Sequence, residues 1–170
     1  MPSAVLSRSC VTNPEPAGPR LSLAVQYASD AKNLPTRAQI RRWIRGALIH
    51  SVEITVRIVD EEEARTLNRD YRDKDYATNV LTFEYGETDD HDNGDKTLSG
   101  DIVICATAVT KEAATQRKLL IDHYAHLIVH GALHLQGFDH EDATDADIME
   151  IREAAILKRF GIANPYFSDI

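Results

Sequence analysis

Cysteines, aromatic residues and long apolar runs are all scarce in this sequence. Among 170 residues there are two cysteines, Cys10 and Cys105, too few for the disulfide framework of a small secreted scaffold. No run approaches the roughly 18 apolar residues of a membrane-spanning helix, and residues 1–20 lack the apolar core of a signal peptide. These absences exclude secreted scaffolds and membrane proteins, and they predict a cytoplasmic protein that makes no membrane contact.

Basic residues are fewer than acidic residues in the whole chain, but they outnumber them in its first third. The net charge is −8, from 19 basic and 27 acidic side chains, which excludes an evenly basic nucleic-acid-binding domain. Residues 1–58 nevertheless carry 8 basic and 3 acidic side chains, a net charge of +5. Arg37, Arg41 and Arg45 share one row of a predicted helix, with Arg42 alongside. This row is either an ordinary solvated face or a contact surface for a phosphate backbone.

Hydrophobic patterns divide the chain into a disordered leader, residues 1–20, and a single domain, residues 21–170. Strand patterns predict four strands, at 21–28, 52–58, 78–85 and 100–106. Helical patterns predict five helices: one after the capping box of Thr36 and Gln39, a short one from Asp60, and three near 107–118, 120–136 and 144–160. The acidic connection over 86–98 is typical of a mobile loop. This order predicts an α+β fold, with helices on a small mixed four-stranded sheet.

Five of the seven histidines lie between residues 123 and 140. His130 and His134 are one turn apart on a predicted helix, so their imidazoles project from the same face. Gly137 permits the left-handed turn that ends a helix, after which the chain can present His140 to the same point. Three neutral imidazoles with one open position are the ligand set of a catalytic zinc site, although nickel or copper also fits such a site in vitro. The sequence therefore predicts a metal centre on a C-terminal helix and the turn after it.

Three neighbouring residues bear on this prediction. His126 lies one turn before His130, and these two histidines with His134 form a rival ligand set. Successive i+4 imidazoles spread along about 12 Å of helix axis, however, and do not converge easily on one ion. We therefore expect His126 to pack or to support a ligand, while Asp139 either orients a ligand imidazole or serves the turn. Gly131 stands where metal-dependent peptidases of this spacing have a catalytic glutamate, which argues against peptide hydrolysis.

The stretch HGALHLQGFDH at 130–140 closely resembles the signature of the YbeY family, the bacterial endoribonucleases and rRNA maturation factors. The segments LNRDYRDKDYATNVLTF at 67–83 and GDIVI at 100–104 are similar to two further segments of that family. Phe138, where tyrosine is usual, and Ser99, where leucine is usual, depart from the family pattern.

This resemblance implies a zinc-dependent endoribonuclease that cleaves single-stranded RNA in 16S rRNA 3′-end maturation and ribosome quality control. It implies that His130, His134 and His140 hold one Zn²⁺ per chain. The implied partners are the 16S rRNA precursor and ribosomal or small-subunit proteins, with no role for DNA.

The resemblance also implies that Arg72, which follows Tyr71 in the second of these segments, is functionally important. A guanidinium offers planar, paired donors to phosphate oxygens, which suits the charge that develops on a scissile phosphodiester. From the residues alone, a surface ion pair with Asp70, Asp73 or Asp75 is the simpler interpretation of Arg72.

Two further functions stay open on the sequence. One is a metal-stabilised assembly factor that binds pre-rRNA or a ribosomal protein without cutting, and the other is a different metallohydrolase. For an endoribonuclease, the histidine motif contains no convincing general base, so bound water or the RNA 2′-hydroxyl must supply the nucleophile. The first route leaves a 3′-hydroxyl and the second a 2′,3′-cyclic phosphate.

Overall fold

The computed structural model describes residues 18–72, 78–89, 96–138 and 142–166. Within these residues the chain forms four strands: β1 Leu21–Ala28, β2 Ser51–Val59, β3 Val80–Asp89 and β4 Lys96–Cys105. It forms five helices there: α1 Arg37–Gly46, α2 Glu61–Arg72, α3 Ala106–Thr115, α4 Leu120–Leu135 and α5 Ala143–Arg159. None of these helices is long and apolar enough to cross a membrane. The predicted leader lies outside the described residues, apart from 18–20.

The four strands form one mixed sheet in the order β1-β2-β4-β3. β1, β2 and β4 are parallel to one another, and β3 runs antiparallel to β4 at the edge. Parallel neighbours need a crossover connection, and α1 makes the crossover from β1 to β2. The predicted α+β fold is therefore confirmed.

Helices cover both faces of this sheet. The even-numbered side chains from Val52 to Ile58 of β2 are buried against α1, α4 and α5, where the main core lies. On the opposite face Val59, Leu81 and Val103 pack with Ala64 of α2 in a smaller core. The alternation seen in the sequence of β2 thus separates two layers of helices.

The helix α1 begins at the predicted capping box. The Thr36 hydroxyl accepts a hydrogen bond from the Gln39 N–H at 3.1 Å, and Gln39 Oε1 accepts one from the Thr36 N–H at 2.9 Å. Ile40, Trp43 and Ile44 are buried on the inner face of α1. The arginine row is exposed on its outer face.

The helix α4 is the central helix of the main core. Ten of its residues are buried, so it is enclosed around most of its circumference. It packs against α1, α3 and α5 and against the strands β3 and β4. A Cβ atom at Gly131 would lie 3.2 Å from Cδ1 of Ile102 on β4. Gly131 therefore lets α4 approach the sheet closely.

Much of the acidic connection is a β-hairpin rather than the predicted loop. β3 and β4 remain paired as far as Asp89 and Lys96, and a β-bulge beside Gly86, where φ is 91°, shifts the register. The polar composition was misleading because an edge strand with exposed side chains needs only backbone pairing to form. The prediction of a loop over 86–98 is therefore wrong for residues 86–89 and 96–98, which are paired strands. Residues 90–95 lie outside the described ranges.

The close packing of α4 on the sheet gives a stability prediction at Gly100 of β4. A Cβ atom there would lie 2.6 Å from Cδ2 of Leu135 and 2.7 Å from the carbonyl oxygen of Phe83. We expect Gly100→Ala to lower the free energy of unfolding, measured by urea denaturation, by about 1–3 kcal/mol. Gly18→Ala is the matched control, since nothing lies within 4 Å of a Cβ atom there. Equal effects of the two substitutions would contradict this packing.

Candidate active site

The helix α4 places His130 and His134 one turn apart, as predicted. Both side chains are half-buried, and both rings are held through Nδ1. Nδ1 of His134 lies 3.0 Å from the carbonyl oxygen of Phe138, and Nδ1 of His130 contacts Oε1 of Glu153. A neutral imidazole that donates from Nδ1 carries its lone pair on Nε2. Both histidines are thus set in the tautomer that binds a metal through Nε2.

The turn after α4 has the predicted left-handed glycine. Gly137 has a φ of 99° and donates its N–H to the carbonyl oxygen of His134 at 3.1 Å. The N–H of Phe138 donates to the carbonyl oxygen of Leu133 at 3.2 Å. These two bonds are those of a Schellman motif, in which glycine avoids the steric cost of positive φ. The turn returns the Phe138 carbonyl to the imidazole of His134.

A buried glutamine, which the sequence analysis did not identify, fastens the end of α4 to the segment after α1. Gln136 Oε1 accepts hydrogen bonds from the N–H groups of Ile49 and His50, at 2.8 and 3.0 Å. Gln136 Nε2 donates to the carbonyl oxygens of Ala47 and Ala132, at 2.8 and 3.0 Å. One side chain therefore satisfies four backbone groups and fixes where the turn after α4 begins.

A fully buried glutamate on α5 faces the histidine helix. Oε1 of Glu153 contacts Nδ1 of His130, while Oε2 lies 3.2 Å from Nε2 of His126 and accepts a hydrogen bond from the hydroxyl of Tyr166. The sequence analysis missed Glu153. The signal was its spacing, because Glu153 lies four residues after buried Met149 on an otherwise apolar stripe.

The environment keeps Glu153 ionised. Burial acts to raise the pKa of this carboxyl, but the hydrogen bonds from His126, His130 and Tyr166 outweigh it and lower the pKa to about 2. Burial and the bond to Glu153 raise the pKa of Tyr166 above its usual range, so the phenol stays protonated as a donor. A carboxylate at this position strengthens His130 as a ligand, because it polarises the Nδ1–H bond of the imidazole.

The other histidines of α4 have different partners. Nε2 of His126 lies 3.2 Å from both Glu153 Oε2 and the Tyr166 hydroxyl. Nε2 of His123 lies 2.7 Å from Oε2 of Glu112 on α3, and burial lowers the pKa of this imidazole. Because the Nε2 atom of His126 faces a carboxylate, the arrangement favours a supporting role over the rival ligand set.

Arg72 lies at the end of α2 and is exposed. Because α2 and α4 pack on opposite faces of the sheet, the structure does not bring Arg72 and the two histidines together through a common core. The ring of Tyr71 packs edge-on against Phe83 of β3, with centroids 5.2 Å apart, and α4 also contacts β3. Tyr71, the neighbour of Arg72, and the helix α4 that carries the histidines thus both contact the edge strand β3.

Several residues named in the sequence analysis lie outside the described residues: Asp73, Asp75, Asp139 and His140. His140 as the third metal ligand therefore stays a prediction. The described residues contain no group of three histidine, cysteine or acidic side chains placed to hold a metal ion. Asp70, the remaining candidate partner of Arg72, has an oxygen 3.4 Å from Nε of Arg69.

Comparison with known proteins places this chain in a family. The family model described as endoribonuclease YbeY matches residues 25–161. The chain belongs to the YbeY endoribonuclease family. It is 63% identical over 150 residues to endoribonuclease YbeY of Thiobacillus denitrificans, a match that covers 88% of this chain and 99% of the relative. It is 52% identical over 161 residues to that of Nitrosospira multiformis, covering 90% and 84%, and 52% identical over 151 residues to that of Methylobacillus flagellatus, covering 89% and 97%.

Membership of the YbeY family confirms the predicted enzyme class, an RNA-cleaving hydrolase. The matched residues 25–161 include all five helices, and with them Arg72, His130, His134 and Glu153. Tyr166, which donates to Glu153, lies beyond the matched range.

The bonds of Gln136 give a second stability prediction. Gln136→Leu leaves the N–H groups of Ile49 and His50 and the carbonyl of Ala47 without their partner. We expect the free energy of unfolding to fall by at least about 2 kcal/mol, since each buried polar group left unpaired costs about 1–3 kcal/mol. Gln116→Leu, at the exposed end of α3, is the matched control and should change it by less than about 0.5 kcal/mol. A Gln136→Leu protein as stable as this control would refute the anchoring role.

Proposed function

We propose that the protein is a zinc-dependent endoribonuclease that cleaves single-stranded RNA, and that it acts in maturation of the 16S rRNA 3′ end and in ribosome quality control. The observation that carries this proposal is the pair of imidazoles on α4 whose Nδ1 atoms face fixed acceptors. Membership of an endoribonuclease family supplies the reaction class. The zinc, the single-stranded substrate and the ribosomal role rest on the motif resemblance.

The donor set fits zinc. His130 and His134 offer Nε2 atoms on adjacent turns of a helix that the core holds rigid, and His140 is proposed as the third ligand. A zinc ion bound there supplies Lewis-acid polarisation of a phosphate oxygen and lowers the pKa of bound water. Glu153 fixes the orientation of His130 and balances the positive charge that metal binding brings to its ring.

Arg72 is proposed to bind the phosphate that is cleaved. Its guanidinium is exposed at the end of α2, so it can donate two parallel hydrogen bonds to phosphate oxygens as negative charge develops on them. The edge-on contact of Tyr71 with Phe83 holds this end of α2 against β3. We propose that the RNA strand passes around the edge of β3 and so contacts both Arg72 and the histidine site.

The partners proposed are the 16S rRNA precursor and ribosomal or small-subunit proteins. The alternative is an assembly factor that binds these partners and does not cut RNA. The family relation favours cleavage, because the curated relatives are named as endoribonucleases. A direct assay of metal content and RNA cleavage separates the two functions.

Substitution of a proposed ligand tests the metal centre. We expect the purified protein to hold one zinc ion per chain at pH 7.5, where imidazoles are neutral, and to cleave a 16S rRNA 3′ precursor. His134→Ala should lose both zinc, measured by atomic absorption, and cleavage, measured by gel electrophoresis. His50→Ala, which removes an exposed histidine, is the control and should keep both. Equal zinc content in the wild type and His134→Ala would rule out the proposed centre.

Arg72→Ala should keep the zinc and lose about 10²–10³-fold in cleavage rate, as expected for removal of a group that stabilises developing charge. Arg69→Ala, three residues earlier on α2, is the control and should cleave at the wild-type rate. RNA binding with the same background cleavage in the wild type, His134→Ala and Arg72→Ala would leave only the assembly role.

The buried carboxylate gives a test that needs no turnover. Glu153→Gln keeps the shape of the side chain and removes its charge, so we expect the zinc Kd, measured by competition with a chromogenic chelator, to rise about 10–100-fold. Asp147→Asn removes an exposed charge from the same helix and should leave the Kd unchanged. An unchanged Kd in a folded Glu153→Gln protein would exclude an orienting role for Glu153.

A further inference from the structure

A cleft of about 560 Å³ lies between the end of α1 and the outer side of α5. Its apolar surface includes Ile49, Ile148 and Ile151, which are 38%, 50% and 70% exposed. This is an unusual concentration of exposed isoleucine on one surface of a charged protein. His130, His134 and Arg72 are not among the residues that line the cleft.

Three guanidinium groups line the same cleft, those of Arg45, Arg152 and Arg159, and no carboxylate is among the described residues that line it. Within 18–72, 78–89, 96–138 and 142–166, no acidic side chain forms an ion pair with any of the three. Arg159 Nη2 donates to the carbonyl oxygen of Gly46 at 3.0 Å, which fixes this guanidinium across the cleft from α5 to α1. The chain as a whole has a net charge of −8, so this positive surface is local. A surface that is both positive and partly apolar is suited to an anionic ligand with apolar faces.

The cleft adjoins the candidate active site through Arg152. The Arg152 guanidinium stacks over the ring of Phe138, 4.9 Å from its centroid, and the carbonyl oxygen of Phe138 lies 3.0 Å from Nδ1 of His134. At its other end the cleft reaches Arg45, the last residue of the exposed arginine row on α1. Arg152, Arg159 and Arg45 thus form a basic path from Phe138, beside His134, through the cleft to the outer face of α1.

We propose that this cleft binds the single-stranded RNA substrate on one side of the cleaved bond, an inference that rests on the proposed function. Its guanidinium groups suit phosphate oxygens. Its isoleucine side chains and the planar face of Arg152 suit unstacked bases, which a duplex does not expose. Every nucleotide of an RNA strand offers both a phosphate and a base to this lining, whereas an acidic peptide does so only where apolar side chains accompany its carboxylates.

The test is equilibrium binding of a fluorescent single-stranded RNA to the full chain in EDTA, which prevents metal-dependent cleavage. Arg45→Gln/Arg159→Gln should raise the Kd at least tenfold. It should also lower the slope of log affinity against log salt concentration by about 1.4, for two phosphate contacts on a single strand. The control, Lys111→Gln/Arg117→Gln, removes the same charge from exposed positions on and after α3 and should stay within about twofold of the wild type.

A second variant tests the apolar half of the cleft. Ile151→Asp changes an exposed side chain, so the protein should remain folded by circular dichroism, while RNA binding should weaken at least tenfold through charge repulsion and loss of the apolar contact. A Kd unaltered by both cleft variants, or equal weakening by the Lys111→Gln/Arg117→Gln control, would overturn the inference. Polyglutamate serves as the probe for an acidic protein. If the cleft variants lost binding to polyglutamate but kept wild-type binding to RNA, the inference would also be overturned, and the cleft would be assigned to an acidic protein. Absence of zinc or cleavage in the wild type would contradict the proposed function alone, because this binding assay requires neither.

Discussion

The buried carboxylate of Glu153 is the interaction on which the arrangement of α4 and α5 depends. A charge enclosed by protein is tolerated only when hydrogen bonds replace the water it has lost. Glu153 has three such partners, two on α4 and one in the segment after α5. His130 cannot rotate without depriving the carboxylate of a donor, and α5 cannot shift along α4 without breaking the contacts of Glu153 with His126 and His130. Stability of the core and orientation of the imidazole are therefore the same constraint.

A second constraint comes from the enclosure of α4. Because α4 is buried on most sides, most of its polar side chains need a hydrogen-bond partner within the protein. Each of the four described histidines of α4 has a partner at one ring nitrogen: His123 faces Glu112, His126 and His130 share Glu153, and His134 faces the Phe138 carbonyl. The buried Nδ1 atoms of His123 and His126 have no hydrogen-bond partner among the described residues. The close approach at Gly131 and the four bonds of Gln136 then fix the position of the helix. The imidazoles thus sit on a rigid element, which suits a centre that must hold its geometry during reaction.

The sequence predicted those features that depend on neighbours in the chain. The capping box of Thr36 and Gln39, the alternation in β2 and the left-handed turn at Gly137 are local, and each is present. The features it missed depend on partners distant in sequence. The spacing of Glu153 on an apolar stripe indicates burial, but only the packing of α5 against α4 determines that it contacts His126 and His130. Tyr166 lies after that helix, where the sequence has no periodic pattern. The hairpin at Gly86 was missed because pairing with β4, rather than side-chain hydrophobicity, forms that part of the strand. Motif resemblance identified the histidines, but long-range packing decides what orients them.

The charge distribution bears on how an acidic protein can act on RNA. At physiological ionic strength, interactions between exposed charges decay over about 8 Å, so the side chains that line a surface matter more than the net charge of the molecule. The described lining of the cleft has three arginines and no carboxylate, whereas the acidic excess of the chain lies mainly beyond residue 58. Such a distribution weakens binding to RNA in general, because most of the surface repels phosphate. The same distribution of charge preserves binding of an RNA strand that follows the basic path. The acidic surface therefore contributes, together with the arginines, to selectivity for RNA bound in the cleft.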